Sequence, residues 1–293
     1  MHLVTFRDTS GTRIGLLFPA TNEILDLSIA APELSREMLG FISAGPSALA
    51  RAMGITDGPR RPLDSVTLLA PIPRPAKNIF CVGKNYHEHA REFHGSGFDA
   101  SAKEAIPELP IIFTKAPTSV VAHGDPIDSS LDPTNSTDYE GELTVEIGKG
   151  GRHISRDRAF EHVFGYTIIN DVTARTLQHI HRQWFLGKSV DTFCPMGPAI
   201  VTADAIPDVR ELRLLTTVNG EKRQDAMVSD LIFDVPTLIE TISRTMTLEP
   251  GDLIATGTCA GVGIGFNPPR FLRKGDRVSV TIEPIGTLEN PVA

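Results

Sequence analysis

The stretch D-Y-E-G-E-L-T-V-E-I, residues 138–147, alternates apolar and acidic side chains. That period of two predicts a β-strand with Glu140 and Glu142 on one face, their Cα atoms about 7 Å apart. Carboxylates so placed can converge on one cation, although the same alternation also fits the solvated face of an edge strand. The surrounding chain keeps this character. Runs at residues 79–82, 111–114 and 163–169 read as strands. Residues 212–218 followed by Asn219-Gly220 predict a hairpin, because that dipeptide accepts the positive dihedrals of a tight turn. Further strands begin at the glycine-aspartate turns around Gly251 and Gly275. Strands outnumber helices without regular βαβ alternation, which predicts an α+β fold with a mixed sheet.

Residues 1–70 read as a small N-terminal α+β domain, with strands at 3–7, 13–18 and 23–27. Pro32 opens a helical pattern carrying Leu34, Met38, Leu39 and Ile42, and a second short helix from Ser47 is expected to end at Gly54 in a left-handed cap. Pro59, Pro62, Pro71, Pro73 and Pro75 interrupt regular structure and put the domain connection within residues 58–76. Residues 71–293 are then the larger domain.

Composition narrows the function classes. The 293-residue chain is long enough to bury a sizeable core, and its 36 acids outnumber 28 bases, for a net charge of -8. Nucleic acid and anionic membranes are poor partners for such a surface, since no basic stripe is present to neutralise phosphates. No apolar run approaches the roughly 20 residues that span a bilayer, and the N-terminus lacks the features of a secretory signal. Cys81, Cys194 and Cys259 have no metal-knuckle spacing and leave one unpaired in any disulfide scheme. A reducing cytoplasm is the expected location.

Three carboxylates stand out. Asp171 follows the apolar run at 163–169 and precedes a helical pattern, where alone it reads as an N-cap. With Glu140 and Glu142 it makes an all-oxygen donor set that suits Mg²⁺ or Mn²⁺ and leaves positions open for water or substrate. In C-V-G-K-N-Y-H-E-H-A-R-E-F, residues 81–93, a helix after Tyr86 would set His89 beside Glu92 at i,i+3. A carboxylate there orients the imidazole and raises its basicity. A polar surface helix is the plainer alternative. The zinc-protease pattern H-E-x-x-H fails at Arg91, a phosphate loop ending in Gly187-Lys188-Ser189 fails at Arg182, and G-x-G-x-x-G fails at Phe266. The glycine-rich run 256–265 reads instead as a loop whose amides approach a small anion. His179 and His181 point apart on a helix and read as packing or surface residues.

In this order, G-K-N-Y-x-x-H-x-x-E, F-T-K-A-P, D-Y-E-G-E-L, N-D-V-T-A-R-T-L-Q, G-K-S-V-D-T-F-C-P-M-G-P and A-T-G-T-C-A-G-V-G resemble the fumarylacetoacetate hydrolase family, specifically bacterial members with a small leading domain. The resemblance covers nearly everything from residue 76 to 290. It implies a mixed β-sheet roll or sandwich, a homodimer, and one divalent cation per subunit. Carried over by position, it implies Glu140, Glu142 and Asp171 as metal ligands and His89 with Glu92 as a water-activating dyad on a lid. It also implies Lys188 as the lysine that holds substrate charge, and Tyr86, Lys115, Gln178 and Thr258 as substrate contacts. Ala116 departs from a common proline, so the Lys115 loop is expected to sit differently, and residues 94–109 are expected to govern substrate choice.

The activity this implies is hydrolytic cleavage of a carbon–carbon bond in a 2,4-dioxo acid. The dyad deprotonates water, hydroxide attacks the distal carbonyl, and a pyruvate enolate leaves, giving pyruvate and a second acid. The cation acts as a Lewis acid toward a 2-oxo acid held through its carboxylate and 2-oxo oxygens. Oxaloacetate decarboxylation and isomerisation or hydration of an unsaturated dioic acid share the enolate and stand as alternatives. A non-catalytic metabolite-binding protein is the reading from another class.

Overall fold

A computed structural model describes residues 1–99 and 104–293. Residues 100–103 of the expected lid lie outside the described residues. A long mixed sheet runs through the molecule. Across it lie Arg60–Pro62, Glu23–Asp26, Gly11–Phe18, His2–Asp8, Cys194–Thr202, Val163–Asn170, Gly141–Ile147, Leu253–Thr258, Ile79–Gly83 and Ile111–Lys115. Most neighbours are antiparallel; Leu253–Thr258 and Ile79–Gly83 run parallel. A second, four-stranded sheet has the order Glu221–Met227, Arg213–Val218, Arg277–Ile282, Gly286–Pro291. The α+β class is thereby met, with few and short helices.

Alternation in the Gly141–Ile147 strand divides its side chains between two cores. Leu143, Val145 and Ile147 pack with Leu214, Val280, Ile282 and Leu288 of the second sheet. The opposite face carries Glu142, Thr144 and Glu146, and it is also buried. The strand is central, flanked by Val163–Asn170 and Leu253–Thr258, so the solvated edge-strand alternative does not hold. Glu140 lies just before the strand rather than within it.

The N-terminal segment joins this sheet directly. His2 and Leu3 pair with Val201 and Ile200, and Leu3, Met38 and Phe41 share a core with Phe164, Ile169, Met196 and Leu253. The helix expected from Pro32 begins only at Met38, and Pro46–Met53 follows it. Gly54 does end that second helix, but at φ -76 in the right-handed region, not in the expected left-handed cap. The Asn219-Gly220 hairpin is present, with φ 54 and 78 at the two turn residues, as a twist-compatible two-residue turn requires. Among the described residues, no helix is long and apolar enough to cross a membrane.

Candidate active site

The candidate site forms where the central strands end. In the antiparallel pair, Gly141 faces Asn170, so the residues just beyond, Glu140 and Asp171, leave the sheet side by side. Two hydrogen bonds lock them there. The Glu140 N–H donates to Asn170 Oδ1 at 2.9 Å, and the Asp171 N–H donates to the Glu140 carbonyl at 2.8 Å. Ligand oxygens of Glu140, Glu142 and Asp171 lie within 4.8 Å of one another, and all three residues are buried. Asp171 caps no helix, since Arg175–Ile180 begins after Ala174.

Buried carboxylates this close repel, and the protein compensates unevenly. Burial would raise Glu140, but Arg175, Lys188 and His89 hold its carboxyl down to about 2. Burial, then the charges of Asp171 and Glu140, push Glu142 well above the ordinary carboxylate range. Lys188 Nζ donates to Glu140 Oε2 and Asp171 Oδ2, both at 2.7 Å. Although burial works against its charge, these two acids raise its pKa. Lys115 Nζ lies 2.7 Å from Asp171 Oδ1 on the other side. With Asp138 included, four carboxylates meet three cations, Arg175, Lys188 and Lys115. The donor set is hard, oxygen-only and short of positive charge, so the residues fit a divalent cation such as Mg²⁺ or Mn²⁺.

The dyad is carried by the His87–Gly95 helix. Its buried face holds His89, Ala90 and Phe93, while Glu88 and Arg91 pair outside. His89 Nδ1 lies 3.1 Å from Glu92 Oε2, the contact the i,i+3 spacing predicts. The ring stacks on Phe93 at 6.1 Å, Phe93 meets Trp184 edge-on at 5.8 Å, and Trp184 meets Phe113 at 5.1 Å. This aromatic wall and the acidic cluster meet at a small cavity lined by His89, Glu140, Glu142, Arg175, Trp184 and Lys188 among others.

Gln178 and Thr258 also line this cavity, although both polar groups have protein partners. Arg175 donates to Gln178 Oε1 at 3.3 Å, while Thr258 Oγ1 donates to the Gly141 carbonyl and accepts from Gln224. Lys115 and Tyr86 are placed differently from the expectation of substrate contact. The Lys115 ammonium is fully buried behind the triad, where it donates to the Val172 carbonyl at 3.0 Å and to the Lys188 carbonyl. Tyr86 is 2% exposed in the core, its backbone bridged to Leu231. The glycine-rich loop does present amides to anions, but to the protein's own. Gly263 and Ile264 N–H groups donate to Asp138, Gly261 to Glu92 and Gly257 to Glu142.

Three further residues were not singled out from sequence. Arg175 bridges Asp138 at 2.9 Å and Glu140 at 2.5 Å from full burial. Its signal was position, four residues after Asp171 and one helical turn before Gln178. Asp138 anchors Arg175 and the glycine-rich loop together; burial raises its pKa despite the arginine. Lys84 lines the cavity at the end of the Ile79–Gly83 strand with φ 56.

A mixed β fold carrying a buried acidic triad and a histidine-carboxylate pair beside one small cavity has the arrangement of an enzyme that can hold a metal and act on a small molecule. Residues 78–293 match the fumarylacetoacetate hydrolase C-terminal family, and the chain belongs to that family. It is 48% identical over 295 residues to the oxaloacetate tautomerase YisK of Bacillus subtilis, covering 95% of each chain. Its structure resembles the fumarylacetoacetate hydrolase of Exiguobacterium antarcticum, with a TM-score of 0.84, 44% identity and coverage of 100% and 99%. It also resembles maleylpyruvate hydrolase of Sphingobium sp. SYK-6 in complex with manganese(II) and pyruvate, with a TM-score of 0.78, 31% identity and coverage of 100% and 99%.

Proposed function

We propose that the protein interconverts the keto and enol forms of a small 2-oxo dicarboxylic acid of the oxaloacetate type. The observation that carries this reading is His89, held by Glu92, on the wall of a cavity that Glu140 and Glu142 of the acidic triad also line. Glu140, Glu142 and Asp171 would hold Mg²⁺ or Mn²⁺, which supplies Lewis-acid stabilisation of negative charge developing on the 2-oxygen. Glu92 engages His89 Nδ1 and leaves Nε2 as the basic atom. His89 takes a proton from C3 as the C2–C3 double bond forms, and the imidazolium so formed gives that proton to the 2-oxygen, which returns His89 to its starting state; the reverse step restores the ketone. No bond between carbons breaks. Lys188 and Arg175 hold the Glu140 and Asp171 carboxylates in place, and the aromatic wall of Phe93, Phe113 and Trp184 keeps water away from the enolate. Similarity to a curated tautomerase supports the choice of reaction.

Hydrolysis of a 2,4-dioxo acid is the second reading, favoured by the same dyad, which can deprotonate water as readily as carbon, and by similarity to a maleylpyruvate hydrolase. One assay separates them. Purified protein with Mg²⁺ or Mn²⁺, and with chelator, is mixed with oxaloacetate and with acylpyruvates while enol absorbance and pyruvate release are followed. Accelerated enol–keto exchange without pyruvate release supports the tautomerase; metal-dependent pyruvate release from an acylpyruvate supports the hydrolase. Neither activity would remove both. The same reading has a cytoplasmic homodimer as the working form, which light scattering on the purified protein tests.

A further inference from the structure

Three cationic side chains besides the dyad histidine line the cavity. Arg175 and Lys188 are bound to carboxylates of the cluster. Lys84 is not: its Nζ donates to Asp99 Oδ2 at 2.7 Å and to the Glu104 carbonyl at 3.0 Å. Both partners follow the helix that carries the dyad. The Lys84 and Asp99 side chains are only 1% and 2% exposed, and Asp99 also lies 3.4 Å from His94 Nδ1 on the same helix. A buried cation at the cavity wall is therefore matched to a carboxylate from the segment that follows the dyad. Burial of such a pair is costly unless an anion is always present on the lysine.

Gly83 ends its strand against the Trp184 indole and Lys84 follows it, and Glu140, Glu142 and Lys188 line the same cavity. For a substrate whose 2-oxo acid end meets Glu140 and Glu142, Lys84 is the lining cation that the acidic cluster leaves for a second negative charge. We propose that Lys84 is the specificity-determining residue for a second, distal carboxylate, and that Asp99 is the internal anion which that carboxylate displaces. The proposal rests on the reading of the site as one for a 2-oxo dicarboxylic acid and assigns the residue that takes its second carboxylate. Exchange of one carboxylate for another keeps the buried ammonium paired throughout. A monocarboxylate such as pyruvate offers nothing to replace Asp99 and leaves the internal pair intact.

Trp184 is the chain's single tryptophan and lines the cavity, so its emission reads ligand binding without turnover. The Mn²⁺-loaded protein is titrated with oxaloacetate and with pyruvate, which differ by the distal carboxylate alone. Wild type is expected to bind oxaloacetate at least about tenfold more tightly, the scale of one charge-assisted hydrogen bond. In Lys84→Met that ratio falls toward one, with pyruvate affinity little changed. In Asp99→Asn, which leaves the lysine in place, oxaloacetate binds more tightly than in wild type. Equal loss of both acids in Lys84→Met, or unchanged or weakened oxaloacetate binding in Asp99→Asn, overturns the proposal. Should Lys84→Met not fold, the Asp99→Asn titration decides alone. Wild-type turnover is measured separately: its absence counts against the proposed reaction, while the affinity ratio still judges Lys84.

Discussion

Glu92 accepts the Gly261 N–H at 3.0 Å through Oε1 while its other oxygen, Oε2, lies 3.1 Å from His89. The glycine-rich loop thus sets the position of the carboxylate beside the proposed base. Glu92→Gln should lower turnover by about 10²-fold, within the range for acid-base groups, with little change in Mn²⁺ affinity. Gly265→Ala tests the same link from the other side, since a Cβ there would meet Glu92 Oε1 at 1.8 Å and force the carboxylate aside. It should reproduce the Glu92→Gln defect with the circular dichroism spectrum unchanged. Normal turnover in Gly265→Ala would show that the dyad geometry does not matter.

The raised pKa of Glu142 has a consequence for stability. With chelator present, this group binds its proton more tightly in the folded chain than in the unfolded one. Its favourable contribution is therefore complete below the ordinary carboxylate value and is lost as pH rises through the raised value. The Tm in chelator should fall as pH rises above the ordinary carboxylate range, and Glu142→Gln should flatten that slope. The variant should also lose at least about tenfold in Mn²⁺ affinity by calorimetry. Glu146 is likewise raised, by burial and then Asp252, so Glu146→Gln should flatten the slope as well, but with Mn²⁺ affinity intact.

Lys115 is a positioning residue by its contacts. Replacing it with methionine removes the ammonium 2.7 Å from Asp171 and leaves a buried carboxylate with less compensation. A loss of about 3–5 kcal/mol in urea unfolding is expected, the cost of breaking a buried pair from one side. If Lys115 instead served only to contact substrate, stability would be unchanged and KM alone would rise.

Removing residues 1–70 should expose the Cys194–Thr202 strand where His2 and Leu3 pair with it, together with the apolar core shared by Met38 and Phe41. An uncovered strand of this kind associates with others. Size-exclusion chromatography should find the truncated chain aggregated; a well-behaved truncated protein with normal Mn²⁺ binding would make the leading segment dispensable.

What the sequence determined by itself is what near neighbours along the chain decide. Period-two alternation marked the Gly141–Ile147 strand, Asn219-Gly220 marked its hairpin, and helical spacing joined His89 to Glu92, because each relation spans at most a few residues and obeys local backbone geometry. Tertiary structure decided the rest. The burial of both faces of the acidic strand follows from its neighbours in the sheet, and the meeting of Asp171 with Glu140 follows from the Gly141–Asn170 register. Nothing local sends the Lys115 ammonium behind the triad, turns the amides of the glycine-rich loop onto Asp138, Glu92 and Glu142, or sets Asp99 against Lys84. A charged side chain shows in sequence only that it needs a partner. Which partner it finds depends on the strand ends and loops that packing brings within hydrogen-bond distance across the fold.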